Sequence, residues 1–154
     1  MLMSEQKKKK VIFVDDDHGP MDYFVAAMQL RGLEVQHLDH ADTAIDYLRD
    51  KNSLPPDLFI IDVMMPPGKY LSAEQTNDGV DTGFFLIEEC QSRFPHVPVL
   101  CLTATRSLEE VKANVGDVRY VHKLDHPPFV FADKVIEFLN AEKTRSGSPE
   151  KENP

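Results

Sequence analysis

Leu58-Phe59-Ile60-Ile61-Asp62-Val63-Met64-Met65-Pro66 is the stretch that decides the fold. Its opening residues are continuously apolar, with no polar residue in alternation. That is the pattern of a parallel strand covered on both faces, and it stops on a single carboxylate. A second run of the same kind, Val11-Ile12-Phe13-Val14-Asp15-Asp16-Asp17, stops on three. Two apolar strands that each end on acid predict a parallel sheet with a carboxyl edge rich in negative charge. Open α/β sheets hold their ligands at that edge.

Outward from these two strands the chain alternates between strand and helix periods. After Val11–Val14, the His18-Gly19-Pro20 break opens a helix over Met21–Arg31, with Phe24, Val25, Met28 and Leu30 near helical spacing and Gly32 as its stop. Glu34–Leu38 reads as a weaker strand. Ala41–Leu48 reads as a helix through Ala44, Ile45 and Leu48, with Asp39 in the candidate cap region. The strand Leu58–Val63 is followed by a polar loop over 66–77 and a helix over Asp78–Phe94. Val97–Leu102 is a strand. Ser107–Asn114 is a helix, with Ser107 and Glu110 in capping-box spacing. Arg119–His122 is a short strand, and Pro128–Lys143 is the last helix, with Phe131, Val135, Phe138 and Leu139 as its stripe. Five strand–helix alternations predict one α/β sandwich with right-handed crossovers, spanning residues 10–143. The basic start, 1–9, and the tail, 144–154, read as disordered.

The chain has 154 residues, about one domain, and it is 42% apolar and 28% charged, as a globular chain is. Its 17 lysine and arginine against 26 aspartate and glutamate residues give a net charge of −9, which argues against a general nucleic-acid or anionic-membrane binder. Cys90 and Cys101 fit no metal spacing and read as buried thiols. The six histidines are scattered without ligand spacing, and His18, His122 and His126 read as loop or strand-surface residues. No apolar run approaches the roughly 20 residues of a membrane span. The run Lys7–Lys10 reads as a solvated entry to the first strand, and a cytoplasmic protein is expected.

The expected sheet edge carries Asp15, Asp16, Asp62, Thr103 and Lys123. Carboxylates set side by side repel unless a cation intervenes. An all-oxygen donor set favours Mg²⁺, or Mn²⁺, over zinc. Mg²⁺ keeps water and accepts phosphate oxygens. Lys123 offers a compact positive charge and Thr103 a hydroxyl donor, suited to the oxygens of a phosphoryl group in transfer. Asp62, alone at the end of the central strand, is the candidate nucleophile. Asp17 reads as a turn residue.

Val-Asp-Asp after strand one, Ile-Asp-Val-Met-Met-Pro after strand three, Leu-Thr-Ala-Thr after strand four and Tyr-Val-His-Lys after strand five stand in register. In this the chain resembles the receiver domain of two-component response regulators, of the stand-alone, chemotaxis-receiver-like kind. The resemblance implies a flavodoxin-like (βα)5 three-layer sandwich with a five-stranded parallel sheet in the order 2-1-3-4-5. It implies Asp62 as phosphoacceptor, taking the group from the phosphohistidine of a sensor histidine kinase or phosphotransfer protein, or from a small phosphodonor. Asp16 and Asp15, Asp62 and the backbone carbonyl of Met64 would hold Mg²⁺, and Lys123 would pair with Asp62 or the phosphoryl group. Thr103 and Tyr120 would be the switch pair, with Met64 and Thr105 tuning the phosphoryl lifetime. Neither Met64 nor Thr105 is a strong acid, base or amide that could orient an attacking water, so slow to moderate loss of the phosphoryl group is expected. Output would pass through the face of helix four, strand five and helix five to a downstream protein. A homodimer through that face is compatible with the resemblance. The tail is too short for a DNA-binding module.

Two departures from the family pattern stand out. Fifteen residues, Val63 to Asn77, separate Asp62 from Asp78-Gly79, a longer run than the family has. The added segment is read either as a lid or partner-recognition loop, or as a solvated insertion. Lys123 is followed by Leu124-Asp125-His126 rather than proline. Two other functions compete with the receiver. One is an unphosphorylated pseudo-receiver scaffold, against which the intact Asp16, Asp62, Thr103 and Lys123 argue. The other is a Mg²⁺-dependent aspartyl-phosphate phosphatase resembling haloacid dehalogenases, but that chemistry wants a second aspartate where Met64 stands.

Overall fold

The computed structural model of the chain describes residues 7–147, with side chains as far as residue 142. Ten elements follow in strict alternation: β1 Lys10–Val14, α1 Pro20–Leu30, β2 Glu34–Leu38, α2 Ala41–Arg49, β3 Leu58–Asp62, α3 Thr82–Arg93, β4 Val99–Thr103, α4 Leu108–Val115, β5 Arg119–His122 and α5 Pro128–Gly147. The five strands are parallel in the order β2-β1-β3-β4-β5, as expected for a flavodoxin-like sandwich.

Strand residues alternate between two cores because the pleat sends neighbours to opposite faces. Ile12, Val14, Phe59 and Ile61 join Ala44, Ile45, Leu48, Phe84, Leu86 and Ile87 under α2 and α3. Val11, Phe13, Leu58 and Ile60 join Met21, Phe24, Met28, Phe131 and Val135 under α1 and α5. Both faces are thus covered, which is why β3 is buried at every position. Each fully buried Phe or Ile contributes about 1.5–3 kcal/mol, so the strand centres dominate the stability of the fold.

Register brings the strand ends level. Val14 sits opposite Ile61, Asp62 opposite Leu102, and Thr103 opposite His122. The residues that follow β1 and β5, Asp15 and Lys123, therefore emerge beside Asp62. The amide of Lys123 donates to the Thr103 carbonyl at 2.6 Å, so its backbone is held without the proline the resemblance would place after it.

Several expected boundaries move. Asp39 does not cap α2; the cap residue is His40, whose side chain caps nothing. The capping box of Ser107 and Glu110 at α4 is present. The helix expected from Asp78 begins only at Thr82, because Asn77, Asp78 and Gly79 all have positive φ, which a right-handed helix cannot accommodate. Helix α5 runs four residues beyond Lys143, so 144–147, expected in a disordered tail, are helical. Residues 1–6 and 148–154 of the expected disordered ends lie outside the described residues, and Lys7–Lys9 carry no regular structure. Cys90 and Cys101 are buried free thiols, as expected. Among the described residues, no helix is long and apolar enough to cross a membrane.

The loop after β3 is mostly exposed but is anchored at several points. The backbone N–H of Lys69 donates to the Asp42 carboxylate of α2 at 2.9 Å, and the Tyr70 hydroxyl donates to Asp46 at 2.5 Å. Arg49 stacks over the Tyr70 ring at 5.6 Å. Leu71 enters the α2–α3 core, and the wholly buried Thr76 accepts from the Gly79 N–H. The extra residues form a folded pad on α2 that leads into α3.

Candidate functional site

The acids at the ends of β1 and β3 converge. One carboxylate oxygen from each of Asp15, Asp16 and Asp62 lies within 4.8 Å of the others. Asp15 is wholly buried and Asp62 is 5% exposed, whereas Asp16 faces solvent. Lys123 enters from the end of β5, its Nζ 2.8 Å from Asp15 Oδ2 and 3.5 Å from Asp62 Oδ2. Asp15 Oδ1 also accepts from the Asp17 N–H at 2.8 Å, which fixes its side chain. Asp17 accepts from the Gly19 N–H at 2.9 Å, the turn role read from the sequence.

One lysine does not neutralise three carboxylates. Burial, then the charge of Asp15, pushes the Asp62 carboxyl up to about 8, against the pull of Lys123. Burial likewise raises Asp15 above the ordinary carboxylate range, with Lys123 opposing. Burial works against the charge on Lys123, but its hydrogen bond to Asp15 and the charges of Asp62 and Asp15 outweigh that and hold it above the usual lysine value. The site is therefore short of positive charge. An oxygen-only set with two buried carboxylates suits a hard divalent cation such as Mg²⁺.

Above these groups opens a cleft of about 530 Å³ lined by Asp16, Asp62, Met64, Thr105 and Lys123 among others. Met64 and Thr105 thus stand at the rim of the site. Thr103 and Tyr120 do not reach into it. The Thr103 hydroxyl is buried and accepts from the N–H groups of Thr105 and Arg106, at 3.2 and 3.1 Å. The Tyr120 hydroxyl donates to the Arg106 carbonyl at 2.6 Å. Both switch candidates therefore hold the β4–α4 loop.

Two features of the site have no clear signal in the sequence. Arg106 reaches from that loop to the start of α3, donating to the Val80 carbonyl at 3.2 Å and to the Asp81 carboxylate, and it lies over the Phe84 ring. It ties the end of the long loop to the segment that Thr103 and Tyr120 hold. Gly83 lies directly against the backbone of Asp62 and donates its N–H to the Val63 carbonyl at 2.7 Å. A side chain there would push α3 off the end of β3. Arg106 follows the Leu-Thr-Ala-Thr motif directly, and that adjacency is its only trace in the sequence.

The family described as response regulator receiver domain matches residues 11–125. No curated protein sequence matches the chain. Among solved structures, a CheY-like receiver domain protein from Methanospirillum hungatei superposes with a TM-score of 0.69 at 21% identity, over 90% of this chain and 99% of that one. The phosphorylated cyanobacterial phytochrome response regulator RcpA gives 0.67 at 19% identity, over 86% and 94%. The Vibrio cholerae chemotaxis protein CheY4 gives 0.62 at 24% identity, over 86% and 99%. At these identities the structural likeness speaks for the fold.

Proposed function

The chain belongs to the response regulator receiver domain family, and from that premise we propose that it is a Mg²⁺-dependent switch phosphorylated on Asp62. Receiver domains are the phosphoacceptor switches of two-component signalling. The observation that carries the reading to particular residues is Lys123 Nζ set between Asp15 and Asp62, at 2.8 and 3.5 Å, beside a cluster of three carboxylates.

Asp15, Asp16 and Asp62 would hold the cation, with the Met64 carbonyl as a further ligand. When bound, Mg²⁺ supplies the positive charge that the transferring phosphoryl oxygens and the carboxylates need. The chain's residues do the rest. An Asp62 carboxylate oxygen attacks the phosphorus of a kinase phosphohistidine. The P–N bond breaks, and the imidazole leaves with the electron pair and takes up a proton. Lys123 moves from its pair with Asp15 toward the new phosphoryl oxygens. The Thr103 hydroxyl gives up the amides of Thr105 and Arg106 to donate to the phosphoryl group. Tyr120 then loses its anchor on Arg106 and turns inward, shifting the population of the α4–β5–α5 face. That face would meet the downstream protein, or a second copy of the chain. Met64 and Thr105 offer no strong acid, base or amide to activate water, so the phosphorylated form decays at a slow to moderate rate.

Incubation with acetyl phosphate and Mg²⁺, read by intact mass, tests the reading. A single phosphoryl adduct absent from Asp62→Ala supports it. The absence of any adduct points to an unphosphorylated scaffold, and fast catalytic turnover of the donor points to a phosphatase.

A further inference from the structure

Beside the acidic cleft, the histidines that look scattered in sequence come together. His18 lies in the β1–α1 connection, Asp22 in the first turn of α1, and His37 near the end of β2. One donor atom from each lies within 4.8 Å of the other two. The rings of His18 and His37 are 5.0 Å apart.

The hydrogen bonds around the two rings are what single this group out. His37 Nε2 lies 2.7 Å from the Asp15 carbonyl oxygen, which can only accept, so Nε2 carries the proton and Nδ1 keeps its lone pair. His18 Nε2 lies 2.6 Å from the Asp39 carboxylate and its Nδ1 lies 3.3 Å from Asp22 Oδ1, so without metal both ring nitrogens face carboxylates, and a metal that displaces the Nδ1 proton would sit between His18 and Asp22 while Asp39 keeps the Nε2 proton. A carbonyl or carboxylate on one ring nitrogen, leaving the other to a metal, is the usual outer support of a metal-bound histidine. His37 is further held by stacking on Phe13 at 5.3 Å.

We propose that His18, Asp22 and His37 form a second metal site, selective for a transition metal of the Zn²⁺ class. Two imidazoles and one carboxylate suit Zn²⁺, Co²⁺ or Ni²⁺, whereas Mg²⁺ takes oxygen ligands and is drawn to Asp15, Asp16 and Asp62. Three protein ligands leave a fourth position for water. The buried thiols of Cys90 and Cys101 offer no competing surface site. His37 holds the Asp15 carbonyl, and Asp15 opens the loop that carries Asp16. Metal held by His18 and His37 therefore staples that loop to β2 and α1.

The test is Zn²⁺ titration of the chelator-stripped full chain in saturating Mg²⁺, by calorimetry, with Co²⁺ absorption as the spectroscopic readout. One Zn²⁺ per chain is expected, with visible Co²⁺ bands of a low-coordinate nitrogen–oxygen site. His18→Ala and His37→Ala should each weaken binding at least about tenfold, and Asp39→Ala about 10–100-fold through loss of ring support. Asp62→Asn should leave it unchanged. His18 is exposed, so its variant stays informative even if His37→Ala folds poorly. Zn²⁺ affinity that survives His18→Ala, or that is lost in Asp62→Asn, overturns the proposal.

Discussion

Gly83→Ala sets two physical expectations of opposite sign against each other. Gly83 is in the first turn of α3, and replacing a helical glycine by alanine ordinarily stabilises by about 0.5–1 kcal/mol. Here the added Cβ would lie 2.5 Å from Val63 Cα and 2.8 Å from the Asp62 carbonyl carbon, and closer still to the Asp62 oxygen. These are backbone atoms of the buried end of β3 and the residue after it, so no side chain can swing away. The helix start must move by about an ångström, at an overpacking cost of about 1–3 kcal/mol or more. The Gly83 N–H to Val63 carbonyl bond would be lost as well, for about 1 kcal/mol. Contact therefore outweighs propensity, for a net loss of about 2–3 kcal/mol. At this chain length that is a fall in melting temperature of about 4–12 °C. Because the displaced backbone belongs to Asp62, phosphoryl uptake should fall with it. Thermal unfolding by circular dichroism and intact mass after acetyl phosphate read the two effects. A melting temperature equal to or above wild type, with normal uptake, would refute the packing described between α3 and β3.

The pH dependence has a definite sign. Asp62 unfolded titrates at 3.8 and folded at about 8, so between those values the folded state binds more protons and stability falls as pH rises. In metal-free protein the stability gain from Asp62→Asn should grow from pH 5 to pH 8, and Mg²⁺ should shrink it; a gain constant across that range contradicts the charge balance of the site. Leu71→Ala should cost about 2 kcal/mol in urea denaturation, because Leu71 belongs to the core, whereas a solvated insertion would give less than about 0.5 kcal/mol. Arg106→Ala should cost about 1–3 kcal/mol and raise amide exchange at residues 77–83, which Arg106 holds through Val80 and Asp81; unchanged exchange there would show that it ties nothing. Met64→Asn should speed loss of the phosphoryl group by giving the rim an amide that can orient water, and an unchanged decay rate removes Met64 from that role.

What the sequence made legible follows from what is local or periodic. β1 and β3 are buried on both faces, and their unbroken apolar runs announce it. The Ser107–Glu110 capping box is a three-residue spacing and was readable as such. Asp15, Asp16, Asp62 and Lys123 could be placed on one edge because parallel strands end level. The illegible parts rest on meetings between elements. Asp42 binds the backbone N–H of Lys69, and a backbone donor has no residue type to betray it. The false early start of α3 arose because Asn77 and Asp78 suit a helix N-terminus by composition, while their positive φ is imposed by the folded loop. His18 and His37 are separated by a helix and most of a strand, so no spacing rule joins them. Gly83 shows nothing in sequence, since its importance lies in the backbone it touches.

The function proposed for this chain turns on Asp62 accepting a phosphoryl group in a site completed by Lys123. The most direct test is the intact mass of the chain after Mg²⁺ and acetyl phosphate, with peptide mapping of any adduct. One phosphoryl group is expected on Asp62, absent from Asp62→Ala and strongly reduced without Mg²⁺. An adduct that persists in Asp62→Ala, or a wild-type chain that takes up none, would contradict it.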